Sequence, residues 1–401
     1  MVFNLNEFLR AVANTLDTVE IDIFGIPTNH SKRIAYISVK IARELGLASE
    51  ELFDLASLAI MHDNGASMKL LQDSMRGNLK EKMNIMESRK EHCVIGENNL
   101  LGFPFLTKPQ NIIKYHHENF DGSGFFGLSG DEIPLFSQII AFADTLDLTF
   151  DLKNTDKEKI IVFVQEHKNT YFSSLLSNLF IKIAGYNGFW EGLSNGNIDE
   201  SLEKVIPIFS NELDYHEIHI ITAVLSKIID AKSEYTQTHS LGLSEKLEKM
   251  AKFYNMDDIM TLKLIIAANL HDLGKLVISN YILDKPGKLS KKEFIEIERH
   301  PSITRICLQD IKGFEEITEW ASNHHEKLDG SGYPKGLTAK DLDFNSRLIA
   351  CLDIYQALRE KRPYRKGMSH DKAIKFLTNM VNEGKLDCTI VCDINNVFAN
   401  L

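Results

Sequence analysis

The amino-acid sequence predicts an all-α protein built from two tandem helical-bundle domains. Three observations lead there. Apolar residues recur at helical spacing, convincing period-2 alternation is scarce, and one set of chemically distinctive residues occurs twice at a nearly constant offset. The length of 401 residues suits about two ordinary domains, and 44 % hydrophobic residues can fill two cores.

Each element follows from its own pattern. After His30, the residues Ile34, Ile37, Ile41 and Leu45 recur at steps of three, four and four, which predicts a helix beginning near the histidine. After His239, Leu243, Leu247, Met250 and Tyr254 do the same. Ahead of His271, Ile259, Leu262 and Ile266 mark a helix whose positive N-terminus would face Asp257 and Asp258. Asp121-Gly122-Ser123-Gly124 and Asp329-Gly330-Ser331-Gly332 should each end a helix in a loop. The polar, Gly-rich stretch 192–197 places the domain boundary, giving 1–195 and 196–401. A helix over about residues 202–232, carrying His216 and His219, would lead into the second domain and is free to bridge domains or subunits, so a homodimer stays open.

Composition excludes several function classes. No run approaches the roughly 18–20 apolar residues of a membrane span, and the start lacks the basic and apolar regions of a signal peptide. Five scattered cysteines argue against a disulfide framework and for a reducing cytosol, so a cytoplasmic protein is expected. Cys388 and Cys392 read as small core residues on one helix face. A net charge of −11 speaks against a DNA, RNA or membrane binder. The segment 359–366 reverses that sign locally, with Arg359, Lys361, Arg362, Arg365 and Lys366 against Glu360, and would attract a phosphate.

The repeat carries the chemistry. Ten of the fourteen histidines belong to it. The first copy is His30, His62, Asp63, His92, His116, His117 and Asp144; the second is His239, His271, Asp272, His300, His324, His325 and Asp353. The differences 239−30, 271−62, 272−63 and 353−144 each give 209, while 300−92, 324−116 and 325−117 each give 208. Five imidazoles and two carboxylates per domain suit a two-metal site, and a two-metal site suits phosphoester hydrolysis. The set contains no thiolate to favour a structural zinc, so Fe, Mn, Zn and Ni all fit. In the second copy one metal would take His239, His271, Asp272 and Asp353. The other would take Asp272, His300, His324 and His325, with Asp272 bridging because His and Asp adjacent on a helix diverge by about 100°. A hydroxide held between two cations is already deprotonated at neutral pH and needs no separate base. His167, His216, His219 and His370 have no counterparts and read as packing or surface residues.

The second copy also resembles a known family. His271-Asp272-Leu273-Gly274-Lys275, His324-His325-Glu326-Lys327-Leu328-Asp329-Gly330-Ser331-Gly332-Tyr333-Pro334, Tyr235-Thr236 before His239, Arg299-His300-Pro301, Arg347 and Arg362-Pro363-Tyr364 resemble the signature of the HD-GYP family. The resemblance implies HD-fold helical bundles and a phosphodiesterase that linearises cyclic dinucleotides at a bi- or trinuclear metal site. Iron or manganese is the usual metal, with Ni, Zn and Mg as alternatives. Some members with a second metal-type domain act on cyclic GMP-AMP rather than cyclic di-GMP. Trinuclear members carry a Glu where this chain has Tyr235, which favours two metals, although Glu234 is adjacent. Carried over residue by residue, the resemblance makes Asp272, Lys275 and Asp329 catalytic. Lys275 would bind the scissile phosphate, and Asp329 would orient a ligand or protonate a leaving group. Gly330, Gly332, Tyr333 and Pro334 would form a substrate-contacting loop. Arg347 and Arg362 would contact phosphate or guanine, with ordinary ion pairing as the alternative.

The first copy keeps all seven ligands and loses the accessories. Lys275 corresponds to Ala66, Tyr333 and Pro334 to Phe125 and Phe126, Arg347 to Gln138, and Arg362-Pro363-Tyr364 to Lys153-Asn154-Thr155. It therefore reads as a metal-binding domain that is structural, sensory or slowly catalytic. Phe120, Phe125 and Phe126 could stack a purine or serve as core. The alternative to an enzyme is a non-catalytic effector that binds a cyclic dinucleotide and signals by interaction. A general HD-fold hydrolase is the third reading, and the Gly332-Tyr333-Pro334 loop argues against it.

Overall fold

The computed structural model describes residues 2–24, 29–65, 90–152, 154–209, 211–233, 239–285, 287–360 and 367–399. Apart from the two-residue strands Val2–Phe3 and Asn211–Glu212, the described residues form helices, turns and loops. The chain divides into two compact units, Asn4–Asn211 and Glu212–Leu401 with Met1–Phe3. That division lies beyond the Gly-rich stretch, because the helix Ile198–Val205 packs on the helix His30–Glu44 and stays with the N-terminal unit.

In the N-terminal unit, His30–Glu44 is the central helix. It packs against Ser49–Ile60, Leu135–Thr149, Ser174–Ala184 and Ile198–Val205. The predicted stripe is its core face: Ile34, Ile37 and Ile41 are all fully buried. So are two cations on the same helix, and both are paired. Lys32 donates to Asp199 at 2.6 Å, and Arg33 holds both oxygens of Asp147.

In the C-terminal unit, the corresponding helix is His239–Phe253, with Leu243, Leu247 and Met250 fully buried. It packs on Asp258–Leu270, which in turn meets Tyr215–Ala231, Glu315–Ser322 and Phe344–Arg359. Asp257 caps the helix Asp258–Leu270, accepting from the Met260 amide at 2.7 Å. The helix is buried from Leu264 and Ile266 through to Leu270, but Ile259 in its first turn is exposed. Its C-terminal half runs through the core, so burial there is not confined to one stripe.

Two expectations change. No single helix spans residues 202–232. Pro207 follows Ile198–Val205 and lacks the amide needed to continue a helix. A new helix, Tyr215–Ala231, starts at Asp214, whose carboxylate accepts from the amides of His216 and Glu217. Cys388 and Cys392, expected in the core, are exposed on Cys388–Phe398; the buried face is instead Ile390, Val391, Ile394 and Phe398. No helix among the described residues is long and apolar enough to cross a membrane.

The unmatched histidines pack as expected. His167 donates to the Phe163 carbonyl and lies against Phe163 and Tyr171. His370 pairs with Tyr355 and Asn395, and His219 faces Asn269.

The two units bring helix ends together through glycine. Gly65 lies on the carbonyl of His92, and Gly274 on the carbonyl of His300. A Cβ at either position would overlap that carbonyl. Gly274→Ala should therefore destabilise the C-terminal unit by about 1–3 kcal/mol, lowering the melting temperature by several degrees in a thermal unfolding scan. Gly196→Ala, which meets open space, should leave it unchanged.

Candidate metal centres and active site

Four of the ligand histidines, His62, His271, His300 and His324, sit where a helix stops. Ser49–Ile60 ends just before His62 and Asp63, and Asp258–Leu270 ends just before His271 and Asp272, so these His-Asp pairs lie in turns rather than on regular helix. The last carbonyls of a helix have no partner within it. Here imidazoles supply one. His62 Nδ1 donates to the Ala59 carbonyl at 3.0 Å, His271 to Ala268 at 2.6 Å, His300 to Ile297 at 2.6 Å and His324 to Ala321 at 2.7 Å. His116 donates likewise to Ile113 at 2.5 Å. A carbonyl can only accept, so Nδ1 carries the proton. Nε2 is then the lone-pair atom, the tautomer a metal ligand needs.

In the C-terminal unit the ligand-bearing elements converge on Asp272. Its Oδ2 lies 3.2 Å from His271 Nε2, while its Oδ1 lies 3.3 Å from His300 Nε2 and 3.8 Å from His324 Nε2. The two oxygens therefore serve two different groups of imidazoles. Asp353 Oδ1 lies 3.0 Å from His239 Nε2 and 4.0 Å from His271 Nε2, and its Oδ2 lies 3.9 Å from His325 Nδ1. All seven residues that the sequence singles out are thus in one cluster. The N-terminal unit repeats it. Asp63 faces His62, His92 and His116 at 3.4–3.8 Å, and Asp144 faces His30, His62 and His117 over the same range.

Burial raises the cost of these charges, and neighbouring groups offset it. Burial opposes ionisation of Asp272, yet His271, Lys275 and His300 hold its carboxyl well below the usual range. Asp63 is held low in the same way by His62, His116 and His92. Burial and the surrounding imidazoles together push His117, His324 and His325 well below their ordinary values, which keeps them neutral. Four others shift up although burial opposes their charge: Asp353 and Glu360 raise His239 to about 10, Asp272 raises His271, and Cys93 and Asp63 raise His92 and His116.

The clusters fit divalent cations. His62 Nε2, Asp63 Oδ1, His116 Nε2, Asp144 Oδ1, His271 Nε2 and Asp272 Oδ1 are all buried without a hydrogen-bond partner. An unsatisfied buried polar atom is costly. Six such atoms gathered in two clusters are explained by cations that accept their lone pairs. His239, His271 and Asp353 have ligand atoms within 4.8 Å of one another, as do His271, Asp272 and His324, and His300, His324 and His325.

The accessory residues fall into place unevenly. Lys275 lies on the short 3-10 helix Leu273–Val277, at the cluster's partly exposed rim, and its Nζ donates to Asp272 Oδ2 at 2.5 Å. Tyr333 leans on the His325 ring, with centroids 4.8 Å apart, and Phe125 stands against His117 in the other unit at 5.3 Å. Phe126 meets Tyr115 and lies under Lys90 and Lys114, so it packs locally. Gly332 and Gly124 pass so close to the backbone at Glu326 and Glu118 that a Cβ would collide. Gly330 and Gly122 adopt φ of +79° and +85°, which favours glycine.

Two further residues have partners within the protein. Arg347 was expected at phosphate or guanine, with ordinary ion pairing as the alternative. Its guanidinium binds the carbonyls of Leu342 and Ala339 and pairs with Asp387. Gln138, its counterpart, likewise binds the carbonyls of Ile133 and Gly130. The position is a loop clamp in both units. Asp329 is exposed and closes a turn by accepting from the Ser331 amide and hydroxyl, which hold its carboxyl below the usual range. An acid held ionised is a poor proton donor. Ala66, Lys153, Glu234, Tyr235, Thr236, Arg362, Pro363 and Tyr364 lie outside the described residues.

Sequence reasoning missed five residues. Glu326 and Glu118 are buried and brace the loops beyond the His pairs, accepting from Lys335 and Leu337 in one unit and from Phe126 and Leu128 in the other. Their recurrence right after each His pair was the available signal. Asp147 orients His30 through Nδ1 at 2.7 Å, and Glu360 does the same for His239 at 3.2 Å. These two sit at unmatched positions, so the repeat could not reveal them. Cys93 is the fifth. The thiolate-free expectation holds for the C-terminal cluster, but in the N-terminal unit Cys93 Sγ lies 3.3 Å from His92 Nε2.

Comparison with known proteins agrees with this reading. The pattern of the HD domain family matches residues 24–169 and 223–390, one match per unit. A 3'3'-cGAMP-specific phosphodiesterase of Vibrio cholerae, phosphodiesterase 1, is 31 % identical over 398 residues, covering 96 % of this chain and 90 % of the relative. A cyclic di-GMP phosphodiesterase of Pseudomonas aeruginosa is 34 % identical over 155 residues, covering 38 % of this chain and 37 % of the relative. The crystal structure of a cyclic GMP-AMP specific phosphodiesterase of V. cholerae superposes with a TM-score of 0.67 at 23 % identity, covering 100 % of this chain and 99 % of that one, and so shares the fold. With two family matches, two clusters of one design and a full-length relative, the chain belongs to the HD domain family, in its tandem form with a C-terminal HD-GYP domain.

Proposed function

We propose that the chain hydrolyses a phosphodiester bond of a cyclic dinucleotide to give the linear dinucleotide, and that the C-terminal unit does the chemistry. The observation that carries this reading is Lys275. It is a partly exposed ammonium bonded to the buried Asp272 carboxylate, at an edge where a substrate phosphate can meet both an ammonium and the ligand cluster. The matching position in the first copy is Ala66.

His239, His271, Asp272 and Asp353 would hold one divalent cation, and Asp272, His300, His324 and His325 a second, with Fe or Mn suited to this all-nitrogen-and-oxygen set. Such cations, when bound, lower the pKa of coordinated water and neutralise phosphoryl oxygens. The protein's own contribution is positioning. The Nδ1 tethers hold the imidazoles in the ligating tautomer, and Glu360 fixes His239. Lys275 offers a charged donor to the negative charge that grows on the phosphate in the transition state. Tyr333 backs His325 and, with Gly330, Gly332 and Pro334, shapes the adjoining loop.

Cyclic GMP-AMP is the substrate we favour over cyclic di-GMP. The support is the full-length match to a relative named for 3'3'-cGAMP, since the cyclic di-GMP phosphodiesterase compared above covers only 38 % of the chain. The test is anaerobic turnover of both compounds with iron or manganese supplied. Wild type should linearise 3'3'-cyclic GMP-AMP faster, and His62→Ala should keep the same preference at a similar rate. If metal-loaded wild type turns over neither compound, the enzymatic reading falls and the effector alternative takes its place.

Two substitutions separate the roles. Asp272→Ala should abolish turnover and reduce the metal retained by the protein, measured by elemental analysis; full activity in this variant would refute the site. Lys275→Ala should lower kcat by about 10²–10³-fold with metal content unchanged. Loss of metal in that variant would make Lys275 a structural residue instead.

A further inference from the structure

The N-terminal cluster carries a donor that the C-terminal one lacks. Beside His92, on the helix Glu91–Asn99, lies Cys93, fully buried. Its Sγ is 3.3 Å from His92 Nε2. The ligand atoms of His92, Cys93, His116 and His117 all lie within 4.8 Å of one another. His116 is tethered through Nδ1 to the Ile113 carbonyl, and its Nε2 is buried with no hydrogen-bond partner. In the C-terminal unit the position equivalent to Cys93 is Pro301 (301−208 = 93), which offers no donor.

A tetrahedral zinc with Zn–S of about 2.3 Å and Zn–N of about 2.0–2.1 Å holds its sulfur and nitrogen ligands about 3.5 Å apart. The Cys93–His92 separation is close to that. We propose that His92, Cys93, His116 and His117 form a thiolate-bearing metal site in the N-terminal unit that takes a thiophilic divalent cation of the zinc type. On binding, the thiol proton passes to solvent and a sulfur–metal bond forms. Three imidazoles and one thiolate are four protein donors, the number that a structural rather than a catalytic zinc takes. The soft sulfur donor also separates the two units by metal preference, because manganese and magnesium favour oxygen and nitrogen. The inference stands whatever substrate the C-terminal unit takes.

The test uses the full chain, freed of metal and titrated with cobalt(II) under anaerobic conditions. Wild type should develop a near-ultraviolet sulfur-to-cobalt charge-transfer band. Cys93→Ser should lose that band while keeping the visible bands of cobalt bound elsewhere. A variant with Cys307, Cys351, Cys388 and Cys392 all changed to Ser should keep it. Zinc should raise the melting temperature of wild type by more than manganese does, and Cys93→Ser should shrink that difference. If Cys93→Ser does not fold, X-ray absorption of zinc-loaded wild type decides: a sulfur neighbour at about 2.3 Å is expected. Cobalt-loaded wild type without the band, a band that persists in Cys93→Ser, or a zinc shell of nitrogen and oxygen alone would each overturn the proposal.

Discussion

The structure depends on one arrangement: an imidazole whose Nδ1 is spent on a carbonyl three residues back, leaving Nε2 turned into a buried cluster, where that of His62, His116 and His271 has no hydrogen-bond partner. Five such tethers occur among the described residues, at His62, His116, His271, His300 and His324. Burying a lone pair without a partner costs about 1–3 kcal/mol. Several gathered around a carboxylate are tolerable only if something fills the space between them. The tether also dictates where helices stop. The carbonyl that accepts from Nδ1 must be free, so four of these histidines sit at or just beyond a helix C-terminus, and the turns that follow place Asp63 and Asp272 at the centre of their clusters. Helix termination and ligand placement are thus one event.

Much of this was legible in the sequence, for a physical reason. Ligand residues are chemically rare and must hold their spacing, so a duplicated set survives as an arithmetic offset. The apolar stripes after His30 and His239 were legible too, because Ile34, Ile37 and Ile41, and Leu243, Leu247 and Met250, all face a core. What escaped has causes of its own. The run over 202–232 reads as one helix if apolar spacing alone is followed, and the break comes from Pro207 and the Asp214 cap. Arg347 looked like a substrate contact because its type suits phosphate. Only its position relative to the Leu342 and Ala339 carbonyls shows that it also clamps a loop. Asp147 and Glu360 support the same histidine from different places on the same helix or its end, so an offset search cannot pair them.

That difference shows how the two copies have diverged without losing their clusters. In the N-terminal unit Asp147 holds His30 and is itself held by Arg33. Its counterpart is Gln356, and the counterpart of Arg33 is Gly242. A Cβ at Gly242 would run into the Gln356 amide, so the smaller residue makes room for the neutral one. Gln356 then donates to Glu360, which takes over the support of the histidine. Charge, size and partner have changed together, and the ligating nitrogen stays where it was.

The same logic bears on why one scaffold can host two kinds of site. The ligands sit at helix ends, held by backbone carbonyls that any sequence supplies, whereas the groups around them are free to change. One copy places an ammonium, Lys275, at the cluster rim, and the other has Ala66 in that position and a thiol beside His92. An ammonium at an open edge favours an anion arriving from solvent. A thiol inside a closed ring of imidazoles favours a cation that stays. The duplicated frame therefore separates two tasks that compete within a single site, holding a metal firmly and leaving it accessible to substrate.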